Sequence, residues 1–310
     1  MANDHKRAGN ALCSDGRVVR QLVVLVILLM LVPTASADAP WTLYLAGNQE
    51  RARELVRDRI DRRFGDQVRV RPYRGETDDK SLVLTLDAAS LAEVRANNVA
   101  QPVVALFSTR THVRDLITNR ERFSAVYSDP PLLRQARLGR RIIPSARTLA
   151  VLASPEEARH YEALMGALEE LGLKGRIFVV ESTDTLIRDL SRALSYGDFV
   201  LGTSESRIFN RDTVKSLLLT SYRRNRLVIG PNRAFVRAGS VASTYTPAAE
   251  QIRMGLDRVE SWFEQRSMPE PGYPDHFRVA LNHQVARSMN IPLPEEEQLR
   301  EALTAAEVEQ

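Results

Sequence analysis

Short uncharged runs of Val, Ile, Leu and Ala alternate with charged, helix-spaced stretches along nearly the whole chain from Trp41 onward. A strand buried on both faces has no wet side to alternate with, so it reads as a continuous apolar run. Such strands belong to parallel sheets, whose connections are long enough to lay helices on both faces. The alternation therefore predicts an α/β fold with parallel sheets. In the first half, "WTLYLAG" (41–47) reads as a strand, followed by a helix with Ala52, Leu55, Val56, Ile60 and Phe64 at helical spacing. "QVRVRPY" (67–73) alternates like a strand with one wet face. "SLVLTLD" (81–87) leads into a helix from about Ala88, "QPVVALFS" (101–108) into one from about Thr111, and "FSAVYS" (123–128) is another strand.

The rhythm then breaks and restarts. In "YSDPPLLRQARLGRRIIPSAR" (127–147), Asp129-Pro130-Pro131 neither continues a strand nor sits inside a helix. "RTLAVLAS" (147–154) opens the second series. Ser154, Pro155 and Glu157 spell a helix start with a capping box, and Tyr161, Leu164, Met165, Leu168 and Leu171 form the buried stripe of that helix. "RIFVVE" (176–181), a helix to about Ser195, "DFVLG", a helix near 211–224 and "RLVIG" (226–230) follow. Two α/β halves joined near residue 128 are the simplest organisation. Residues 241–310 hold a strand ("VASTYT"), a long helix (248–265), a Pro/Gly-rich loop ("MPEPGYP"), a strand ("FRVALN") and a short helix. This region is too short for a domain and is expected to add elements back to both halves.

The N-terminus speaks to location. Arg17 and Arg20 precede eleven apolar residues, Leu22 to Val32, and then Pro33, Thr34 and Ala35-Ser36-Ala37. A basic flank, a short apolar core and an A-x-A site predict a secretory signal peptide over residues 1–37, cleaved on export to the periplasm. The apolar core is shorter than the ~20 residues a membrane span needs; the alternative is an uncleaved N-terminal anchor. Cys13 precedes the apolar core, so the mature chain is expected to lack cysteine, which rules out disulfides and thiol chemistry together. The formal charge of +4 is spread along the chain. "RARELVRDRIDRRFG" (51–65) is interrupted by Glu54, Asp58 and Asp61 and reads as the solvated face of a helix, not as a nucleic-acid site.

Ligands of open parallel sheets bind beyond the carboxyl ends of the strands. Here those ends read Asn48, Asp87-Ala88, Ser108-Thr109, Ser154-Pro155, Thr203-Ser204-Glu205 and Gly230-Pro231-Asn232. Each such residue is either a helix cap or a donor to a guest. "GTSES" lacks the second glycine of a nucleophile elbow. There is no G-x-G-x-x-G after the first strand and no phosphate-binding G-x-x-x-x-G-K, and the histidines lack metal spacing. No catalytic residue, metal or cofactor is predicted.

The pieces "PLLRQARLGRRIIPSARTLAVLASPEE" (131–157), "SYRRNRLVIGPNRAFVRAGSVASTYTPAAEQIRMGLDRVESWF" (221–263) and "FRVALNHQVARSMNIPLP" (277–294) resemble the periplasmic substrate-binding proteins of ABC transporters with the type I fold, in the branch that includes tryptophan- and tyrosine-binding members. The resemblance covers almost all of residues 40–295. It implies two Rossmann-like lobes with parallel sheets joined by a multi-strand hinge, with solute bound between them. The lobes are expected over 38–127 plus 246–273 and over 128–245 plus 274–310. Carried over, the ligand residues are Asn48, Asp87, Ser108 and Thr109 in the first lobe and Thr203, Ser204, Glu205 and Asn232 in the second. Tyr127 and Tyr245 lie near the crossings, where a ring can stack on a guest. The chain departs from many relatives at "TLDAAS" (85–90) and "FSTRTHVRDL" (107–116); there Arg110 and His112 either pair with an acidic ligand or face water.

The resemblance further implies a monomer that captures a small polar solute, an amino acid by family expectation, and delivers it to an inner-membrane ABC permease without altering it. The alternative is a periplasmic sensing or interaction module of the same fold that regulates a membrane or outer-membrane partner.

Overall fold

The computed structural model describes residues 41–78, 81–117 and 120–308; the expected signal peptide lies outside them. The first sheet and its connections are β1 (Trp41–Ala46), α1 (Glu50–Phe64), β2 (Val68–Pro72), β3 (Leu82–Thr85), α2 (Ala88–Asn97), β4 (Val103–Ser108), α3 (Arg110–Arg114) and β5 (Phe123–Tyr127). All its pairings are parallel, in the order β2-β1-β3-β4-β5. Helix α4 (Leu132–Ile142) then leads into the second series: β6 (Thr148–Ala153), α5 (Pro155–Ala158), α6 (Glu162–Ala167), β7 (Lys174–Val179), α7 (Leu186–Tyr196), β8 (Phe199–Leu201), α8 (Val214–Arg223), β9 (Leu227–Ile229), α9 (Arg233–Ala238) and β10 (Ala242–Tyr245). The long helix α10 (Ala248–Gln265), β11 (Arg278–Leu281), α11 (His283–Ser288) and α12 (Glu296–Val308) complete the chain. The second sheet runs β11-β10-β9-β8-β6-β7, parallel except for β11.

The apolar runs explain both sheets. Leu82, Val83 and Leu84 are fully buried in β3, as are Val103, Val104 and Ala105 in β4, because each strand is covered on both faces. One face of the first sheet packs Leu43, Leu84 and Leu106 against α1 and against Ile252, Leu256 and Val259 of α10. The other face buries Val83, Leu91, Val94 and Phe123. The second sheet is covered the same way by two clusters, one holding Leu138, Phe199 and Val279, the other Leu152, Leu190 and Leu217.

The chain passes between the sheets three times: after β5, after β10, and between α10 and β11. Buried polar ties anchor the helices that flank the crossings. Gln135 of α4 donates from Nε2 to the Gly230 carbonyl and accepts from the Thr244 N–H at Oε1, at 2.7 and 2.8 Å. Arg258 of α10 donates to Ser124 Oγ of β5 at 2.9 Å. Each of these helices also presses a glycine onto its sheet. A Cβ on Gly139 would lie 2.5 Å from the Phe199 ring, and one on Gly255 would lie 2.5 Å from Leu106.

Three local expectations need correction. The break at 127–147 contains an eleven-residue helix, α4, which starts directly after Pro131. The helix expected over 155–171 is broken into α5 and α6 with tight 3₁₀ turns at Arg159–Tyr161 and Glu169–Leu171. Its capping box does not form: Ser154 makes no side-chain cap, and the Glu157 carboxylate turns instead to Arg114. A further helix, α12, lies beyond the short one foreseen after β11 and packs Leu299 and Leu303 onto the second sheet's core. Among the described residues no helix is long and apolar enough to cross a membrane.

Candidate functional site

The carboxyl end of β4 is locally irregular. Its register with β5 shifts between Ala105 and Ser108, and Phe107 adopts φ +54 in the left-handed region. A bulge with a strained residue re-aims the chain that follows it. Ser108 is thereby buried, with its carbonyl accepting from the Ser128 N–H at 3.0 Å. Thr109 becomes the cap of α3, accepting from the His112 N–H at 3.4 Å. This one-turn helix carries Arg110 and Arg114 toward the second lobe.

A cavity of about 290 Å³ lies where α3 meets the turns around α5 and α6 of the second lobe. Both lobes line it, together with Asp129 and Tyr273 from two of the crossings. Its polar groups fall into two sets. At one side Arg114 grips Glu157 across the lobes with two bonds, Nη2 to Oε1 at 2.8 Å and Nη1 to Oε2 at 3.2 Å. The Glu157 bond holds the Arg114 pKa above its ordinary value, against the effect of burial. Arg114 also holds Asp115, Nε to Oδ1 at 3.1 Å.

The second set centres on Asp129, whose Oδ1 accepts from the Arg110 N–H at 2.8 Å, with the Ser204 hydroxyl beside it. Burial pushes the Asp129 pKa up despite these donors. The Tyr273 hydroxyl also lines the cavity; burial raises its pKa, and the Arg110 guanidinium beside it works the other way. Tyr161 is 6% exposed and lines the cavity, with its hydroxyl buried beside Thr203. Leu132, Leu133, Ala163 and Leu164 supply an apolar wall opposite these groups.

The ten residues foreseen from strand ends and crossings divide by position. Ser204 lines the cavity. Five stand behind its walls. Ser108 and Thr109 set α3, and Tyr127 packs edge-on against Tyr273 with ring centroids 4.9 Å apart. Thr203 is 1% exposed beside Tyr161, and Glu205 is turned inward, both carboxylate oxygens accepting from the Ser154 N–H at 3.0 and 3.2 Å. Burial raises the Glu205 pKa, the Ser154 bonds notwithstanding. The remaining four lie elsewhere. Asn48 donates its N–H to Asp87 Oδ2 at 3.0 Å, and Asp87 caps α2 through the Ser90 N–H at 2.7 Å. Burial opposes ionisation of Asp87, but these donors outweigh it and lower its pKa. Asn232 is an exposed cap of α9, and the Tyr245 ring lies under the Arg233 guanidinium at 5.0 Å.

Asp129, Tyr161, Tyr273 and Arg114 are absent from the sequence-based set. Asp129 carries one usable signal, an acid directly before Pro-Pro where the chain leaves its first lobe. Tyr161 sits at the core spacing of its helix, and nothing in that spacing marks it as lining a cavity.

No protein-family model matches the sequence, and no curated protein matches it. Solved structures match its fold. An ABC domain from Streptococcus pneumonia in complex with L-Trp superposes with TM-score 0.60 at 15% identity, over 85% of this chain and 98% of that one. A conserved domain protein from Vibrio cholerae gives TM-score 0.61 at 13% identity, over 85% and 98%. A ligand-free, open substrate binding protein with adhesive properties from Clostridium difficile gives 0.64 at 12% identity, over 83% and 97%. At such identities the likeness is one of fold.

Proposed function

We infer, from a chain with the two-lobed type I periplasmic binding fold, that the protein captures a small solute between its lobes and releases it unchanged. The observation that carries this reading is the cavity between the lobes, with Asp129, Arg110, Ser204 and Tyr273 around one space. Arg114 is taken up by Glu157 and Asp115, so Arg110 and Asp129 offer a guest one cation and one carboxyl, with His160 and apolar side chains also in the lining. That set suits a zwitterion carrying a modest apolar side chain, hence an amino acid. The volume of about 290 Å³ is at the small end of ligand sites and limits the guest to that size class. The solved L-Trp complex of the same fold supports this class.

The wider reading is a monomer exported by a cleaved signal peptide over residues 1–37, which works without a cofactor. Its lobes divide at 38–127 plus 246–273 and 128–245 plus 274–310, and it hands its solute to an inner-membrane ABC permease. No activated nucleophile accompanies the cavity groups, which supports binding without reaction. The test is thermal denaturation of the purified protein against a panel of amino acids, small acids and sugars, with mass spectrometry of any copurifying molecule. A ligand that binds only the native state raises Tm as RT ln(1 + [L]/Kd). A rise with an amino acid that is lost in Asp129→Ala is expected. No shift across the panel, with nothing copurifying, overturns the reading.

A further inference from the structure

On the flank of the second lobe, away from the cavity, Arg176, Arg188, Arg192 and Arg224 surround an open concavity of about 750 Å³. Phe178 and Tyr196 form its base, and the Arg176 guanidinium lies over both rings at 5.4 and 5.6 Å from their centroids. Among the described residues, Asp189 is the carboxylate paired with two of these four cations. Asp189 is 1% exposed and takes Arg188 and Arg192 together, each at 3.3 Å and each with its side chain 65% exposed. Among the described residues, Arg224 donates to neutral oxygens, the Ser191 carbonyl at 3.5 Å and Ser195 Oγ at 3.3 Å. The groove therefore keeps an excess of positive charge, carried by guanidinium forks suited to bidentate contact with carboxylates.

A second feature adjoins it. Arg176 and Phe178 belong to β7, the terminal strand of the second sheet. The Lys174 N–H donates to the Arg147 carbonyl and the Val180 N–H to the Ala153 carbonyl, so residues of that parity face β6. In a parallel pair the alternate residues turn their N–H and C=O away from the neighbour. The edge groups of Gly175, Ile177 and Val179 thus point outward, where no strand pairs with them among the described residues. Two copies meeting at this edge would bring Lys174 and Arg176 against their own kind, so the charge discourages self-pairing. The same charge favours an acidic strand.

We propose that this edge and its arginine groove form a docking site for an extended acidic segment of another protein, which adds a strand to β7 and places its carboxylates on Arg176 and Arg224. A concave groove with directional backbone groups beside it favours a peptide over a flat anionic membrane surface. The site shares no residue with the cavity between the lobes, so the proposal stands apart from the solute-binding reading.

The test uses the purified protein and a fluorescent peptide of alternating Glu and Thr, with a Lys/Thr peptide of equal length and vesicles containing phosphatidylglycerol as comparators. Anisotropy should report binding of the acidic peptide alone, weakening steeply as salt rises toward about 0.15 M. Arg176→Glu with Arg224→Glu, which leaves Arg188 and Arg192 on Asp189, should weaken it about tenfold or more. Val179→Pro removes one outward N–H at an edge position that tolerates proline and should weaken it roughly threefold to tenfold. Circular dichroism checks that both variants fold. Absence of acidic-peptide binding at low salt, or binding unchanged by the charge reversal, overturns the proposal. Equal binding to the vesicles overturns the protein partner, and an unaffected Val179→Pro overturns strand addition.

Discussion

The two lobes are tied across the cavity mouth by one bidentate ion pair, and removing it should loosen their closure. Arg114 and Glu157 make two charge-assisted bonds at 2.8 and 3.2 Å, with side chains 28% and 12% exposed. A fully exposed pair contributes about 0–1 kcal/mol, whereas hydrogen bonds to charged groups in partly shielded settings contribute about 1.5–3 kcal/mol. Two bonds sharing one pair of side chains, partly open to water, fall between these, at about 1–2 kcal/mol. Since the partners stand on different lobes, that energy acts on the balance between closed and open arrangements. Arg114→Ala should therefore shift the balance toward open by roughly 5- to 30-fold, and weaken any guest that needs closure by a similar factor.

Energy transfer between dyes on α1 and α8, one on each lobe, reads the balance directly, and small-angle scattering gives the mean size. Glu157→Gln should open the protein to a similar extent. The double variant should add little to either single change, giving a coupling of about 1 kcal/mol or more between the sites. Raising salt should reduce the difference between wild type and variants. If both single variants keep the wild-type transfer distribution, or if their effects simply add, the pair does not hold the lobes together.

Tyr161→Phe removes a buried hydroxyl beside Thr203, so the ligand-free protein should lose no more than about 0.5–1.5 kcal/mol of stability; a larger loss in a calorimetric scan would contradict this. Asp129 has a raised pKa, so the native state holds its proton to higher pH than the unfolded chain does. Stability contributed by the protonated form is present below the usual carboxylate range and is lost as pH rises through the elevated folded pKa. Asp129→Asn keeps an acceptor for the Arg110 N–H and should raise Tm near neutral pH but not in acid, at the expense of binding; a Tm gain independent of pH would contradict this. Gly139→Ala forces a methyl against the Phe199 ring and should cost about 1–3 kcal/mol in a urea melt.

The strands were the legible part of this chain, because burial on both faces leaves an uninterrupted apolar run, as in "LVLT" of β3 and "FVL" of β8. Helix α4 hides because its buried face includes Arg134, Gln135 and Arg137, residues that local pattern assigns to water. Their partners are distant in sequence: Glu307 takes Arg134, and the backbone of β9 and β10 takes Gln135. Glu157 misleads for the same reason. It occupies the capping-box position after Ser154, but Arg114, far upstream, is the stronger partner, and Glu205 supplies the missing cap to Ser154. The strand-end rule points to the ends of both sheets beside which the cavity lies. Which of those ends converge is set by how the lobes approach one another, and no local pattern records that.

That approach is governed by the crossings, and the cavity is built partly from them. Asp129 belongs to the first crossing and Tyr273 to the third, and the third is pinned to β5 by the Tyr127 N–H on the Gly272 carbonyl and the Gly272 N–H on the Ala125 carbonyl, both at 3.0 Å. Gln135 and Arg258 fix the adjoining helices to their own sheets with buried bonds, so under the proposed capture each lobe should move as a body, with the change of backbone angle on the few residues between. A guest that engages Asp129 and Tyr273 consequently touches the hinge itself as well as both lobes. Its binding energy would bias lobe closure without a relay through either core, because the groups it contacts are the ones whose positions define the angle.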